Sequence, residues 1–176
     1  ACKLSFPDTD ALITDAKNVI LTSLHADCIP VWLYDPERHA AGLVHAGWRG
    51  TRADIAAKTA RKMCAEFGSA LEDLLAFIGP GISRCCFEVG AEVAEEFAAM
   101  LGTEVFYGEN GRYSIDDKNG KFHLDSKKIN ERLLQRAGLT KIAATNYCTC
   151  CSEDLFYSYR RDRGVTGRMC AGIMLL

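Results

Sequence analysis

Apolar residues come in short dense runs through the first third of the chain. VILTS (19–23) and IPVWLYD (29–35) are rich in branched and aromatic side chains, and AGLVHAG (41–47) has the same character, which predicts three strands. Between the second and third runs, Asp35-Pro36-Glu37-Arg38 reads as a hairpin turn in which proline presets φ. The period then lengthens. Over residues 51–67 apolar positions recur at Ile55, Thr59/Ala60, Met63 and Phe67, with Arg52, Lys58, Arg61 and Lys62 on other faces, so a helix is expected with Gly68 as its stop. LLAFIGPGI (74–82) reads as a buried strand entering a Gly-Pro-Gly turn, and AEVAEEFAAM (91–100) as a helix closed by Gly102. Residues 103–122 hold short strands and a polar, exposed loop at 116–120. LDSKKINERLLQRAG (124–138) is a helix with Asp125 or Ser126 as N-cap and Gly138 as C-cap. LFYSYR (155–160) and MCAGIMLL (169–176) are read as two terminal strands. Hairpins mixed with helices, without repeat or linker, predict one α+β domain over 1–176 rather than a regular βαβ series. The apolar end and the short polar start predict an incomplete chain.

Composition narrows the class. A chain of 176 residues can bury a real core, and 48% hydrophobic with 25% charged residues excludes disorder and low complexity. A net charge of −2 gives no general pull toward nucleic acid or an anionic membrane. No apolar run reaches the ~18 residues that a membrane span needs, and ACKLSFPDTD lacks a signal-peptide pattern. A soluble cytoplasmic protein without nucleic-acid or membrane partners is expected. Nine cysteines, an odd number, fit reduced thiols better than a disulfide scaffold. The four histidines, His25, His39, His45 and His123, are too few for a site with several coppers.

Candidate chemistry is densest in HADCIP (25–30) and HAGWRGT (45–51). Cys28 precedes one strand and His45 ends the next, so hairpin pairing can bring them together. A thiolate with a neutral imidazole suits Zn²⁺ or a nucleophilic Cys–His pair; the alternative is a small core cysteine and a hydrogen-bonded strand end. Gly47 and Gly50 beside Trp48 and Arg49 suggest close backbone approach to a ligand. In IGPGISRCCFEVG (78–90), Cys85 and Cys86 are adjacent and cannot easily ligate one ion, so a structural role is expected. CTCC (148–151), read as C-x-C-C, is not zinc-knuckle spacing and has no second pair at a matching distance. In FYSYRRDRGVTGR (156–168), Arg160, Arg161, Arg163 and Arg168 lie among tyrosines, as an anion site or as a solvated edge strand.

Taken together, ADC at 26–28, HAGWRG at 45–50, IGPGI at 78–82, FEVG at 87–90 and F-x-S-Y-R-R…T-G-R at 156–168 resemble the laccase-domain family over essentially the whole chain. Its YfiH- and YlmD-type bacterial members carry the names polyphenol oxidase and purine nucleoside phosphorylase. The resemblance implies an α+β domain with mixed β-sheets sandwiched between helices. It also implies a zinc held by two histidines and a cysteine, with Cys28 and His45 as two ligands. The third ligand belongs to an upstream V-H-G motif that this sequence does not contain, as though the N-terminal third were lacking. Two ligands hold zinc poorly, so weak affinity at this pair is expected. His25 lies three residues before Cys28, and joint ligation would need a turn or bulge; a neighbouring role is the reading taken. The implied activity is phosphorolysis of adenosine, inosine and methylthioadenosine, with adenosine deamination beside it. Cys28, His45 and Asp27 would then be catalytic, and Arg49, Arg160, Arg161 and Arg168 would bind substrate. Asp27 would orient a ligand or accept a proton, or else cap nearby amides as a turn carboxylate. A copper-dependent polyphenol oxidase and a Cys–His thiol hydrolase are the other readings, and chelation separates the metal enzymes from the thiol one.

Overall fold

A computed structural model describes residues 5–101, 115–116 and 121–176. Its elements are β1 (Ala11–Thr14), β2 (Ile20–His25), β3 (Ile29–Asp35), β4 (Ala40–Ala46), α1 (Trp48–Arg52), α2 (Ile55–Phe67) and β5 (Leu75–Ile78). Then follow β6 (Glu88–Val89), α3 (Ala91–Leu101), β7 (Ile115–Asp116), β8 (Lys121–His123), α4 (Ser126–Ala137), β9 (Lys141–Ala144) and β10 (Met169–Met174).

The predicted hairpin forms as β3 and β4, antiparallel from Ile29↔Ala46 to Asp35↔Ala40. Asp35 sets its turn: Oδ1 accepts the backbone N–H groups of Glu37 at 2.9 Å and Arg38 at 3.1 Å. The hairpin is the middle of a five-stranded sheet in the order β1-β4-β3-β5-β9. Only β5 and β9 pair in parallel there; the remaining pairs are antiparallel. That mixture is an α+β fold.

Strand periodicity sorts the core. Ile29, Val31 and Leu33 turn to one face with Val44, Ala46 and Ile78, where Ala56, Ala60 and Met63 of α2 and Leu134 of α4 cover them. Trp32 and Leu43 turn to the other face, against Leu21, Ala171 and Ile173 of the antiparallel β2–β10 ribbon. The Trp32 indole N–H donates to the Gly172 carbonyl at 3.0 Å across that contact. A second core forms where α3 and the small β6-β8-β7 sheet meet the other flank of α4, with Phe97, Leu124, Ile129 and Leu133 inside.

Three sequence expectations change. The helix expected over 51–67 is two helices, because Asp54 takes a left-handed conformation (φ 60°, ψ 37°) that ends α1 and starts α2. Gly68 closes α2 as expected, at φ 69° with its N–H on the Cys64 carbonyl. The strand expected at 155–160 is a run of turns: Phe156 N–H bonds the Ser152 carbonyl at 3.0 Å and Asp162 N–H the Ser158 carbonyl at 3.0 Å, so its backbone pairs locally. β1 and β9 appear where no strand was expected. Asp125 and Gly138 cap α4 as predicted, the Asp125 carboxylate accepting from Lys128 N–H. Gly102 and most of the expected loop at 116–120 lie outside the described residues. Among the described residues no helix is long and apolar enough to cross a membrane.

Candidate active site

The hairpin register brings Cys28 to His45. Pro30 pairs with His45 and Ile29 with Ala46, so the next step outward sets Cys28 beside Gly47. A Cβ on Gly47 would lie 3.3 Å from the Cys28 sulfur and 3.9 Å from His45 Cε1, so glycine there leaves room for both side chains. β1 supplies a third member that sequence reading missed. Its register with β4 continues from Ala11↔Val44 to put Asp10 opposite His45. There the His45 backbone N–H bonds the Asp10 carbonyl at 2.7 Å, and His45 Nδ1–H donates to Asp10 Oδ1 at 2.9 Å. Nothing in the spacing marked Asp10, because the contact spans 35 residues.

The hydrogen bond with Cys28 raises the His45 pKa; burial opposes it, Asp10 adds to it, and the result is about 9. With Nδ1 on the carboxylate, Nε2 is the nitrogen left to face the thiol, an arrangement that carboxylates impose on metal-ligating imidazoles.

His25 lies next to this pair, its ring centroid 5.0 Å from that of His45. Both its nitrogens are engaged: Nδ1–H donates to the Cys28 carbonyl at 3.2 Å, and Nε2 accepts from the Ser23 hydroxyl at 2.7 Å. Burial, the neighbouring His45 charge and a partly opposing bond to Cys28 leave its pKa at about 4. His25 therefore shapes the turn before Cys28 as a neutral ring.

Asp27 occupies that turn at φ 84°. Its Oδ1 accepts from the Thr149 hydroxyl at 2.6 Å, and its Oδ2 from the Ser158 hydroxyl at 3.0 Å and the Arg160 N–H at 2.7 Å. The buried carboxylate thus ties three distant segments together.

Cys28, His45, Asp27, Arg160 and Arg168 line one cavity of about 370 Å³, walled also by Trp48, Phe87 and Tyr159. That volume suits a small organic ligand. Arg160 Nη1 donates to the carbonyls of Cys86 (3.2 Å) and Glu88 (2.9 Å), with the guanidinium 5.6 Å from the Phe87 ring centroid. Arg168 Nη1 donates to the carbonyls of Thr166 and Gly167, its guanidinium 6.0 Å from the Tyr159 ring. Arg49 and Arg161 are not among the lining residues. Arg49 stacks on Trp48 at 4.3 Å. Arg161 pairs with Asp162 and donates to the carbonyls of Thr149, Cys150 and Phe156.

A second cluster corrects the reading of the cysteines. Cys85, Cys86, Cys148 and Cys151 place their sulfurs within 4.8 Å of one another. The relevant spacing in 148–151 is Cys148-x-x-Cys151 with Cys150 outside, and a turn at 83–87 lets adjacent cysteines share one neighbourhood. The signal was present in the sequence as C-x-x-C; its partner pair was hidden because the fold, not the spacing, joins 85–86 to 148–151.

The whole chain, residues 1–176, matches the family described as multi-copper polyphenol oxidoreductase laccase. Among curated relatives it is 35% identical over 164 residues to purine nucleoside phosphorylase YlmD of Bacillus subtilis, covering 92% of this chain and 56% of that one. It is 40% identical over 171 residues to a purine nucleoside phosphorylase of Deinococcus radiodurans, covering 97% and 62%. The crystal structure of Bacillus licheniformis hypothetical protein YfiH superposes with a TM-score of 0.87 at 38% identity, covering 96% of this chain and 62% of that one. The chain thus spans about three fifths of the length of the relatives it matches. By profile, identity and fold together, this chain belongs to the multi-copper polyphenol oxidoreductase laccase family.

Proposed function

We propose that the cavity takes a purine nucleoside and inorganic phosphate and supports phosphorolysis of the N-glycosidic bond, releasing the purine and the 1-phosphate of the sugar, ribose or 5-methylthioribose. Adenosine, inosine and methylthioadenosine are the proposed substrates, with adenosine deamination as a companion reaction. The observation that carries this reading is the meeting, in one cavity, of the Cys28–His45 pair with two arginines and three aromatic rings. The names of the relatives at 35–40% identity support the same chemistry.

Each residue then has a task. Arg160 and Arg168 hold phosphate; both line the cavity, and each has one guanidinium nitrogen fixed on backbone carbonyls. Trp48, Phe87 and Tyr159 offer apolar faces for the purine. Arg49 braces Trp48, Arg161 braces the turns behind the wall, and Asp27 positions Arg160 through its backbone N–H.

The donors fit part of a zinc site. Cys28 Sγ and His45 Nε2 are two suitable ligands, and Asp10 orients the imidazole from behind. His25 does not supply a third, since both its nitrogens are engaged; a third protein ligand must come from outside the described residues. Zinc held there by Cys28 and His45 would supply the Lewis acidity that deamination of the purine ring requires. A multicopper arrangement fits poorly, because of the four histidines only His25 and His45 adjoin.

The test is the rate of hypoxanthine release from inosine as phosphate is varied, in the full-length protein. Release that saturates with phosphate is expected, with Arg168→Gln raising the phosphate KM about tenfold, the loss of roughly one charge-assisted hydrogen bond. Release independent of phosphate would contradict the proposal. The line Cys28–His45–Asp10 also has the order of a thiol hydrolase; a chelator that leaves activity intact would favour that reading.

A further inference from the structure

The four-cysteine cluster lies outside the cavity, and neither the phosphorolysis reading nor its ligands use it. Its sulfurs come from two turns that the fold clamps together. In the first, the Ser83 carbonyl accepts from Cys86 and Phe87 N–H at 2.9 Å each, which curls Cys85 and Cys86 toward the same side. In the second, Ser152 N–H bonds the Cys148 carbonyl at 3.0 Å, so Cys148 and Cys151 lie within one turn. An isolated bridge between Gly81 and Cys148, with Thr149 N–H on the Gly81 carbonyl at 3.2 Å, fixes one turn on the other.

The sulfur spacing is in the range a tetrahedral site needs. Cys151 Sγ lies 3.5 Å from Cys85 Sγ and 3.3 Å from Cys86 Sγ, and all four sulfurs are within 4.8 Å of one another. A tetrathiolate zinc with bonds of about 2.3 Å has sulfur–sulfur edges of about 3.8 Å. The surroundings of Cys148 suit a thiolate, while burial and the neighbouring Cys151 sulfur push the Cys85 and Cys86 thiols up. Cys148 Sγ accepts the Ser83 N–H at 3.3 Å, and the N–H groups of Cys150 and Cys151 also point to it, the pattern by which a C-x-x-C turn stabilises its first ligand. Lys127, buried and donating to the Tyr147 carbonyl at 2.6 Å, places a cation near Cys148 and Cys85.

We propose that Cys85, Cys86, Cys148 and Cys151 form a structural Zn²⁺ site that staples the 83–87 turn to the 148–152 turn. The site holds the wall of the cavity from behind. Cys86 offers its carbonyl to Arg160, and Thr149 bonds Asp27, which in turn holds the Arg160 N–H. It is separate from the Cys28–His45 pair, so it stands or falls independently of the proposed reaction.

The test is replacement of zinc by Co²⁺ in the full-length protein purified under reducing conditions, reading the thiolate-to-cobalt charge-transfer band. A four-thiolate band is expected that survives Cys28→Ser and Cys170→Ser and loses about a quarter of its intensity in Cys85→Ser or Cys151→Ser, one thiolate in four. Because a variant of the cluster can fail to fold, X-ray absorption at the zinc edge with all four cluster cysteines intact gives a second reading: four sulfurs at about 2.3 Å in Cys28→Ser, where the other zinc loses its thiolate. A band abolished by Cys28→Ser, a zinc shell with fewer than three sulfurs in that variant, or a disulfide joining two of the four cysteines in the reduced preparation would overturn the proposal.

Discussion

His45 keeps its two ring nitrogens in different company, a carboxylate on one side and a thiol on the other, and that asymmetry is what makes it useful. Asp10 accepts from Nδ1 and fixes the ring, so Asp10→Asn should keep the shape while removing the charge. The expected outcome is a His45 titration midpoint below about 9 by NMR and activity reduced about 10- to 100-fold; an unshifted midpoint would show that Asp10 does not set the imidazole. Asp35 makes a different use of its charge. Burial raises its pKa, but the neighbouring Ser69 hydroxyl and the hydrogen bonds from the Arg38 and Glu37 N–H groups outweigh burial and hold it below the ordinary carboxylate range. A depressed folded-state pKa contributes stability above the unfolded value near 4, lost as pH falls through the folded value. Asp35→Asn should therefore cost about 1–3 kcal/mol at pH 7 in urea denaturation, and the gap to the parent should shrink as pH drops below about 4. The chemistry-bearing residues of the hairpin were legible because runs of branched residues set its strands and Pro36 its turn. Asp10 was not, since register across β1 and β4 decides its place.

At the scale of elements, the irregular segments do as much to build the cavity as the strands. The turn before β3, the turn at 148–152 and the run at 156–168 meet on one carboxylate, that of Asp27. Asp27→Ala leaves the Thr149 and Ser158 hydroxyls and the Arg160 N–H without their acceptor and should destabilise by about 3–5 kcal/mol, with a matching loss of Arg160 placement seen as a raised phosphate KM. Equal stability of the two proteins would show that the carboxylate is not the clip. Gly81 sits under the same junction, where a Cβ would come within 2.9 Å of the Asp27 carbonyl and closer still to Ile29 Cδ1. Gly81→Ala should cost about 1–3 kcal/mol by forcing β3 and the Gly-Pro-Gly turn apart. Periodicity and caps made α4, α3 and the β3–β4 hairpin readable. The 155–160 segment misled because its aromatic residues mimic strand composition while its backbone bonds close locally. Likewise Arg161 read as a ligand-binding cation but is engaged with Asp162 and three carbonyls.

Across the whole molecule, the sheet is covered by α2 and α4 on one face and the β2–β10 ribbon on the other, while α4 joins this core to the smaller one under α3. The cavity opens where β3 begins and β4 ends, with strand register fixing the Cys28–His45 end and loop contacts fixing the arginine wall. The rigidity of that end depends on the packing behind it. Met63, with no exposed surface beneath β4, should cost about 2–5 kcal/mol as Met63→Ala. The proposed reaction transfers the ribosyl group of a purine nucleoside to phosphate. Its most direct test is the identity of the sugar product when the full-length protein acts on inosine in the presence of phosphate. Ribose 1-phosphate formed in equal amount to hypoxanthine, and lost in Cys28→Ala, is the predicted result; free ribose, or inosine left unchanged, would contradict the account.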